Sequence, residues 1–288
     1  MSQSHKIIPH LWYDKEAKEA AAFYAATFPD SRVTDTYTLH DTPSGDCDVV
    51  SFEVLGHPMM AISAGPLFKF NPSVSFFAYC DTAAELDQIW QCLAKGGEVL
   101  MPVDAYPWSE RYGWVQDRYG LSWQLMLRDP NVDRPRLVPS LLFVGDNYGR
   151  AEEAIEFWTG VFDDAQRGRL ERNEDGKVLF ADFMLERQWF IAMDSQPHDF
   201  QFNEAISFLI QCDDQQEIDR YWGALSAVPE AEVCGWLRDR FGLVWQVAPK
   251  DMERMLKEGT PEQAARVTQA FLKMKKFDLA TLERAWKG

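Results

Sequence analysis

The run IIPHLWY at Ile7–Tyr13 carries one histidine among apolar and aromatic residues. Because side chains alternate along a strand, Ile8, His10 and Trp12 share one face. Histidine titrates near neutral pH and serves as a metal ligand or as a general base. We therefore predict His10 as the candidate catalytic residue. The alternative interpretation is a hydrogen-bonded histidine in a mostly apolar pocket.

One stretch of sequence occurs twice. GWVQDRYGLSWQL spans Gly113–Leu125, and GWLRDRFGLVWQV spans Gly235–Val247. Each is typical of a closing hairpin, and each places a glutamine, Gln124 or Gln246, on its last strand. We predict that the tryptophans of both stretches pack between a sheet and helices, with ligand stacking as the alternative. The glutamine amides are candidates for hydrogen bonds to a ligand.

Aromatic residues dominate the other candidates. The segment Met101–Gly113 holds two prolines, two tyrosines and Trp108. It is predicted to be a long loop that forms either a lid over a pocket or a contact surface. The complete predicted ligand-binding set is Trp12, Phe77, Tyr79, Trp108, Gln124 and Gln246.

The elements that carry these residues are also repeated. Each half of the chain reads as two successive βαβββ units, and SVSFFAYCDTAAELDQIW in the first half corresponds to AISFLIQCDDQQEIDRYW in the second. A Pro- and Asp-containing segment separates the halves. The predicted organisation is a first domain at 1–128, a linker at 129–135, a second domain at 136–249 and a helical extension at 250–288.

Composition narrows the classes of function. The 288 residues carry a formal net charge of −16, which repels phosphate backbones and argues against nucleic-acid binding. No apolar run reaches the length of a membrane span, and the N-terminus lacks the apolar region of a secretory signal. Five cysteines without metal-type spacing suit a reducing compartment. We expect a cytoplasmic protein whose partner is a small molecule.

Four segments resemble a known family. They are FYAATFPDSRV at Phe23–Val33, AISAGP at Ala61–Pro66, the first doubled stretch, and RVTQAFLKMKKFDLATLERAW near the C-terminus. They are similar to the PhnB-like branch of the vicinal oxygen chelate superfamily, whose members often carry the label 3-demethylubiquinone 3-methyltransferase. The resemblance implies an α+β fold of two tandem glyoxalase-like domains. Each domain would hold two βαβββ units with cup-shaped sheets, and a helical tail would follow.

The resemblance also implies a divalent metal, held by side chains that face the cup. The corresponding positions are His10, Ser63, Ser75 and Gln124 in the first domain, and Ser140, Asp194, Ser207 and Gln246 in the second. A catalytic metal of this type needs about three nitrogen or carboxylate ligands. The first domain offers His10 and the weaker Gln124, which are therefore the predicted metal ligands. The sequence departs from the metal-binding pattern and identifies no certain cofactor.

Three functions remain open. The first is small-molecule binding in the cup of the first domain. The alternative is a metal-dependent lyase, isomerase or dioxygenase of the glyoxalase type, and the third is a purely structural second domain. Methyl transfer is not expected, because no glycine-rich cofactor loop follows a first strand. Since a tandem chain supplies both halves of a dimer, we expect a monomeric pseudo-dimer, with a homodimer as the alternative.

Overall fold

The computed structural model describes residues 5–132, 134–196 and 198–288. The first half of the chain forms two similar units. The first unit consists of β1 (Ile7–Tyr13), α1 (Ala17–Thr27), β2 (Arg32–Thr42), β3 (Gly45–Val54) and β4 (His57–Ser63). The second consists of β5 (Val74–Cys80), α2 (Ala83–Ala94), β6 (Glu98–Tyr106), β7 (Ser109–Gln116) and β8 (Ser122–Leu127).

The second half repeats the plan with one difference. The third unit consists of β9 (Leu137–Phe143), α3 (Ala151–Val161), β10 (Ala165–Arg172), β11 (Val178–Leu185) and β12 (Gln188–Asp194). The fourth consists of β13 (Ile206–Cys212), α4 (Gln215–Leu225), β14 (Trp236–Arg238) and β15 (Val244–Pro249). A 3-10 turn at Pro229–Ala231 stands where the other units have a further strand. The α+β fold of two tandem repeated halves is confirmed.

Each of the two sheets combines one unit from each half. The seven-stranded sheet has the order β14-β15-β13-β1-β4-β3-β2, so it joins the first and fourth units. The eight-stranded sheet has the order β10-β11-β12-β9-β5-β8-β7-β6, so it joins the second and third units. Strand β1 pairs antiparallel with β13, and β5 pairs antiparallel with β9. Each concave sheet surface is therefore shared between the halves of the chain.

In the first half of the chain, the buried carboxylate of Asp117 connects the second unit to helix α1 of the first unit. Asp117 belongs to the first copy of the repeated stretch, Gly113–Leu125. The Trp123 Nε1 donates to Asp117 Oδ2 at 2.9 Å, and the hydroxyl of Tyr24 on α1 donates to the same oxygen at 2.8 Å. The backbone amides of Tyr119 and Leu121 donate to the other oxygen. Burial raises the pKa of Asp117 above its usual value. This carboxylate fastens the β7–β8 turn of the second unit to the helix of the first.

The second half contains the equivalent arrangement. Asp239 Oδ2 accepts hydrogen bonds from Trp245 Nε1 at 2.9 Å and from Trp158 Nε1, on α3, at 2.8 Å. Burial raises the pKa of Asp239 to about 6. Trp123 and Trp245 are both fully buried. The prediction that the tryptophans of both stretches pack in the core is confirmed for Trp123 and Trp245. It is wrong for Trp114 and Trp236, which are half-buried, and Trp236 lines a pocket on the seven-stranded sheet. The repeated stretch joins the two units within each half.

The Met101–Gly113 segment forms an extended hairpin instead of an irregular loop. Asp104 pairs with Tyr112 and Tyr106 pairs with Ser109, across register shifts in β6. Pro102 is tolerated because β6 lies at the edge of its sheet, where a missing N–H need not disrupt a ladder. The prolines suggested a loop, whereas the hairpin places Trp108 at its turn.

The C-terminal segment packs against the seven-stranded sheet. It contains α5 (Met252–Lys257), α6 (Pro261–Phe271) and α7 (Leu279–Lys287), which confirms the predicted helical tail. Its buried side chains form a separate apolar cluster: Met255, Val267, Phe271, Phe277 and Leu282. Within the described residues, the helices are all too short or too polar to cross a bilayer.

Candidate functional site

The concave face of the eight-stranded sheet encloses a cavity of about 780 Å³, which we call the large cup. This volume lies in the range of small-molecule sites. The first half of the chain contributes aromatic walls through Tyr79, Tyr106 and Trp108, and the second half contributes Phe180 and Trp189. The cup is thus lined by aromatic rings from both halves.

The floor of the large cup is apolar. Val138 on β9 and Ile191 on β12 are buried side by side with Met126 at the base of the cavity. Phe77 lies against this cluster, and its ring stacks on that of Tyr79 with centroids 5.9 Å apart. Burial raises the pKa of Tyr79 to about 12, so its hydroxyl keeps its proton at neutral pH and can donate to a ligand.

Arginines stack on two of the aromatic walls. The guanidinium of Arg134 lies 3.5 Å from the ring centre of Trp189, and that of Arg169 lies 4.4 Å from that of Phe180. Asp182 connects them, because it accepts a hydrogen bond from the backbone amide of Arg169 at 2.7 Å and forms an ion pair with Arg134 at 3.5 Å. These contacts fix the Trp189 and Phe180 rings and the two guanidinium groups relative to one another on one side of the cup.

Among its described lining residues, the large cup has equal numbers of positive and negative side chains. The described lining residues include three arginines and three acids: Arg128, Arg134, Arg169, Glu110, Asp129 and Asp182. The chain as a whole carries −16. The cavity is therefore less repulsive to electron-rich ligands than the rest of the protein surface.

Trp108 lies at the entrance of the large cup. Its side chain is 55% exposed although it lines the cavity. Its ring stacks on Tyr106 with centroids 5.1 Å apart and meets Tyr112 edge-on. This position is compatible with either predicted role of the segment, a lid or a contact surface.

Hydroxyl and amide groups lie beneath the large cup. Ser75 and Ser140 stand opposite each other on β5 and β9. Gln124 donates through Nε2 to Ser75 Oγ at 2.8 Å, and its Oε1 accepts from the hydroxyl of Tyr112. Both polar ends of Gln124 are thus occupied within the protein.

The seven-stranded sheet has a much smaller pocket of about 170 Å³, the small cup. His10, Trp12 and Gln246 line it, together with side chains of the helical tail. His10 is 6% exposed, and burial lowers its pKa to about 4, so the ring is neutral at pH 7. Its Nδ1 has no hydrogen-bond partner among the described residues.

Neither set of side chains fits a catalytic divalent metal. At the positions that the resemblance implies, the large cup offers Ser75, Ser140 and Gln124, and the small cup offers one imidazole, His10, beside Ser207 and Gln246. Serine hydroxyls and amides are weak ligands, whereas such a metal takes about three imidazole or carboxylate donors. Among the residues that the structure describes, no three His, Cys, Asp or Glu side chains cluster in a metal-binding arrangement.

The predicted site residues fall into two groups. His10, Trp12 and Gln246 lie at the small cup, whereas Phe77, Tyr79, Trp108 and Gln124 lie at or beneath the large cup. His10 and Gln124, the two predicted metal ligands, are on different sheets and are not brought together.

Two further positions implied by the resemblance have a different environment. The Oγ of Ser63 accepts a hydrogen bond from the Ala17 amide at 3.1 Å, and Asp194 Oδ1 accepts from the Ala151 amide at 3.3 Å. Ala17 and Ala151 are the first residues of α1 and α3. Ser63 and Asp194 therefore hold the start of corresponding helices.

Sequence reasoning did not assign to the site the part of the large cup that comes from the linker and the second half. These residues are Arg134, Val138, Arg169, Phe180, Asp182, Trp189 and Ile191. Alternation along RQWFIAMD puts Trp189 and Ile191 on one face. Their proximity to the first half depends on the β5–β9 pairing, for which the sequence carried no local signal.

Comparison with known proteins gives two matches to one family. The family described as 3-demethylubiquinone-9 3-methyltransferase matches residues 5–126 and again residues 135–248. The PhnB protein from Bacillus cereus, a candidate 3-demethylubiquinone-9 3-methyltransferase, is 32% identical. The match covers 43% of this chain and 99% of that one, with a TM-score of 0.40. Among curated proteins there is no match.

The solved structures that match over most of the chain include glyoxalase I from Zea mays and a candidate dioxygenase from Bacillus subtilis. Glyoxalase I from Zea mays is 13% identical with a TM-score of 0.57, covering 88% of this chain and 95% of that one. A candidate dioxygenase from Bacillus subtilis is 11% identical with a TM-score of 0.54, covering 99% and 97%. At these identities the similarity concerns the fold alone.

Proposed function

The chain belongs to the 3-demethylubiquinone-9 3-methyltransferase family, the PhnB-like group of the vicinal oxygen chelate superfamily, and from that premise we propose that it binds a small molecule in the large cup. The observation that carries the proposal is the cavity of about 780 Å³ lined by aromatic rings from both halves of the chain. A pocket of this kind, apolar with a few convergent polar groups, is the usual form of a small-molecule site.

The lining selects for a flat aromatic ligand. Tyr79 and Trp189 are half-buried on strands of different halves, and Val138 closes the floor between their strands. Aromatic pairs add attraction beyond the area that they bury. The proposed ligand is therefore a planar molecule of one or two rings.

The polar groups select for ring substituents that carry oxygen. The protonated hydroxyl of Tyr79 and the guanidinium of Arg169 are donors, and Asp182 is the acceptor that holds Arg169 in place through its backbone amide. The described lining residues carry three arginines and three acids, which favours a ligand without net charge. Hydroxylated aromatic rings satisfy both conditions.

The test compares two ligands of similar size and different flatness, 2-naphthol and decahydro-2-naphthol, by isothermal titration calorimetry. We expect 2-naphthol to bind the unaltered protein and the saturated analogue to bind at least tenfold more weakly. Trp189→Leu should weaken 2-naphthol binding about tenfold, since an aromatic contact contributes about 0.5–1.5 kcal/mol beyond area. The matched control is Trp12→Leu in the small cup, which should leave the affinity unchanged. Equal affinity for both ligands would refute the proposal.

The alternative function, a metal-dependent enzyme of the glyoxalase type, predicts that the protein retains a metal ion. In that case protein purified without a histidine tag would retain near-stoichiometric Zn, Ni, Mn or Fe after exposure to each metal. The retained metal would be lost in His10→Ala. We expect no retained metal, because no three His, Cys, Asp or Glu side chains of the described residues cluster in a metal-binding arrangement.

Methyl transfer is not part of the proposal. After β1 the chain continues with Asp14, Lys15 and Glu16, not with the glycine-rich loop that lets a backbone approach a nucleotide-like cofactor. The family's name describes an activity that these residues do not support.

We also propose that the protein functions as a monomer. Each half supplies the pairing strand that a second copy would otherwise provide, as β9 does for β5. Light scattering should give a mass near 33.2 kDa. A mass of twice that value would contradict the monomer.

A further inference from the structure

The helical tail makes the small cup different from the large one. Six residues of the tail line the small cup: the apolar Met252, Leu256, Phe271 and Phe277 and the charged Lys250 and Glu253. The volume is about 170 Å³, compared with about 780 Å³ on the other sheet. An engineered apolar protein cavity of about 150 Å³ stays dry and binds benzene. The small cup is thus the size of a single-ring molecule.

The tail is held in this position by defined contacts. The backbone amides of Cys234 and Gly235 donate to the carbonyls of Met274 and Lys275 at 2.8 and 2.7 Å. Ser51 Oγ on β3 donates to Glu253 at 3.1 Å. These hydrogen bonds therefore hold in place the tail side chains that narrow the small cup.

His10 is the buried imidazole of the small cup, whose other polar lining residues include Gln211, Gln246, Lys250 and Glu253. His10 Nδ1 is buried with no partner among the described residues. A neutral imidazole offers one donor and one acceptor. A hydroxyl group can both donate and accept, so it satisfies the ring in either tautomer. Because His10 lines the cavity, a ligand hydroxyl there would give the ring a partner that the described residues do not supply.

The surroundings of His10 fit a ring that carries such a hydroxyl. The Trp236 ring meets His10 edge-on at 5.8 Å and Trp12 edge-on at 6.0 Å. Gln246 uses its Nε2 to donate to Ser207 Oγ at 2.9 Å. Its carbonyl oxygen is a further acceptor on the residue that lines the pocket. Aromatic edges and one or two polar atoms are the features that a phenol requires.

We propose that the small cup is a second ligand site, which takes a neutral single-ring molecule with one hydroxyl bonded to His10. The tail side chains set its size limit and exclude two-ring molecules. This site is separate from the large cup, and its existence does not depend on the function proposed there.

The first test follows the imidazole directly in the full-length protein. Side-chain ¹⁵N resonances of the histidines are recorded with phenol, toluene or 2-naphthol, and the His10 signal is assigned by its loss in His10→Gln. We expect phenol to shift the His10 nitrogens through the hydrogen bond, toluene to shift them much less because it has no hydroxyl, and 2-naphthol to leave them in place. Unmoved His10 nitrogens at saturating phenol would overturn the proposal, and this readout needs no affinity measurement on a variant.

The second test uses variants and calorimetry. His10→Leu should weaken phenol binding about tenfold and change toluene binding less than twofold, because only the hydrogen bond is lost. His10→Gln, which restores a polar group, should recover part of the affinity. In the control Trp189→Leu, which alters the large cup, phenol should still shift the His10 nitrogens. Loss of the shift in that control would place phenol in the large cup and contradict the second site.

Discussion

Ser75, from the first half of the chain, lies directly opposite Ser140, from the second half, on neighbouring antiparallel strands. His10 and Ser207 have the same relationship in the other sheet. Both pairs lie at the junction where one half of the chain continues the sheet of the other. The two cups are consequently joint products of both halves, and neither belongs to one domain of the sequence.

This relationship predicts how the first proposed domain, residues 1–128, behaves alone. Without the second half, β1 and β5 lose their partners β13 and β9 and expose unpaired edges. Because β13 corresponds to β5, two copies of the fragment can pair β1 of one with β5 of the other. We expect light scattering to give twice the fragment mass.

The control for that experiment is the full-length chain, which should remain monomeric at the same concentration. A fragment that is monomeric, folded and as stable as the full chain would show that the edges of β1 and β5 do not need partners. That result would contradict the shared-cup architecture.

The burial of His10 predicts a pH dependence of stability. Its pKa is about 4 in the folded protein and 6.5 in the reference state, so between these values the unfolded chain binds more protons. Stability is therefore lost as the pH falls from about 6.5 to about 4, by up to about 3 kcal/mol. Urea unfolding at pH 7.5 and 4.5 should show a smaller loss for His10→Gln. Equal losses in both proteins would contradict a neutral buried imidazole.

Tyr24→Phe tests the joint between the two units of the first half. The substitution removes the hydrogen bond to Asp117 and the 3.0 Å contact with the hydroxyl of Tyr13, both fully buried. We expect a loss of about 1–3 kcal/mol in the free energy of unfolding, because buried acceptors lose a donor. The control Tyr106→Phe loses an exposed bond to the Pro102 carbonyl and should cost under about 0.5 kcal/mol.

Alanine substitutions at two glycines distinguish the energetic cost of a strained backbone from that of a clash with the tail. Gly235 and Gly45 have nearly equal positive φ values of +82° and +84°. A Cβ on Gly235 would lie 2.5 Å from the ring of Phe277, whereas a Cβ on Gly45 would meet nothing within 4 Å. Gly235→Ala should therefore cost about 1–3 kcal/mol more than Gly45→Ala in thermal or urea unfolding. Equal losses of stability in the two variants would mean that Phe277 of the tail does not pack closely against Gly235, the residue before β14.

Local patterns in the sequence predicted most of the elements. The repeats indicated the units, and alternation placed Ile8, His10 and Trp12 on one strand face, of which His10 and Trp12 line the small cup. The Met101–Gly113 hairpin was missed because its prolines suggest a loop, although an edge strand tolerates them.

The composition of the cups could not be predicted in the same way. Strand pairing between distant segments depends on tertiary packing, so nothing near Tyr79 in the sequence indicated that Trp189 would share its cavity. For the same reason His10 and Gln124 were assigned to one site, although they lie on different sheets. The large cup needed the β5–β9 pairing before its second wall was visible.

The most direct measurement for the proposed function is a crystal structure of the protein in complex with 2-naphthol. The proposal predicts the two-ring ligand in the large cup, in contact with Trp189 from the second half and Tyr79 from the first. Density for the ligand in the small cup, or none in either cup at saturating concentration, would contradict it.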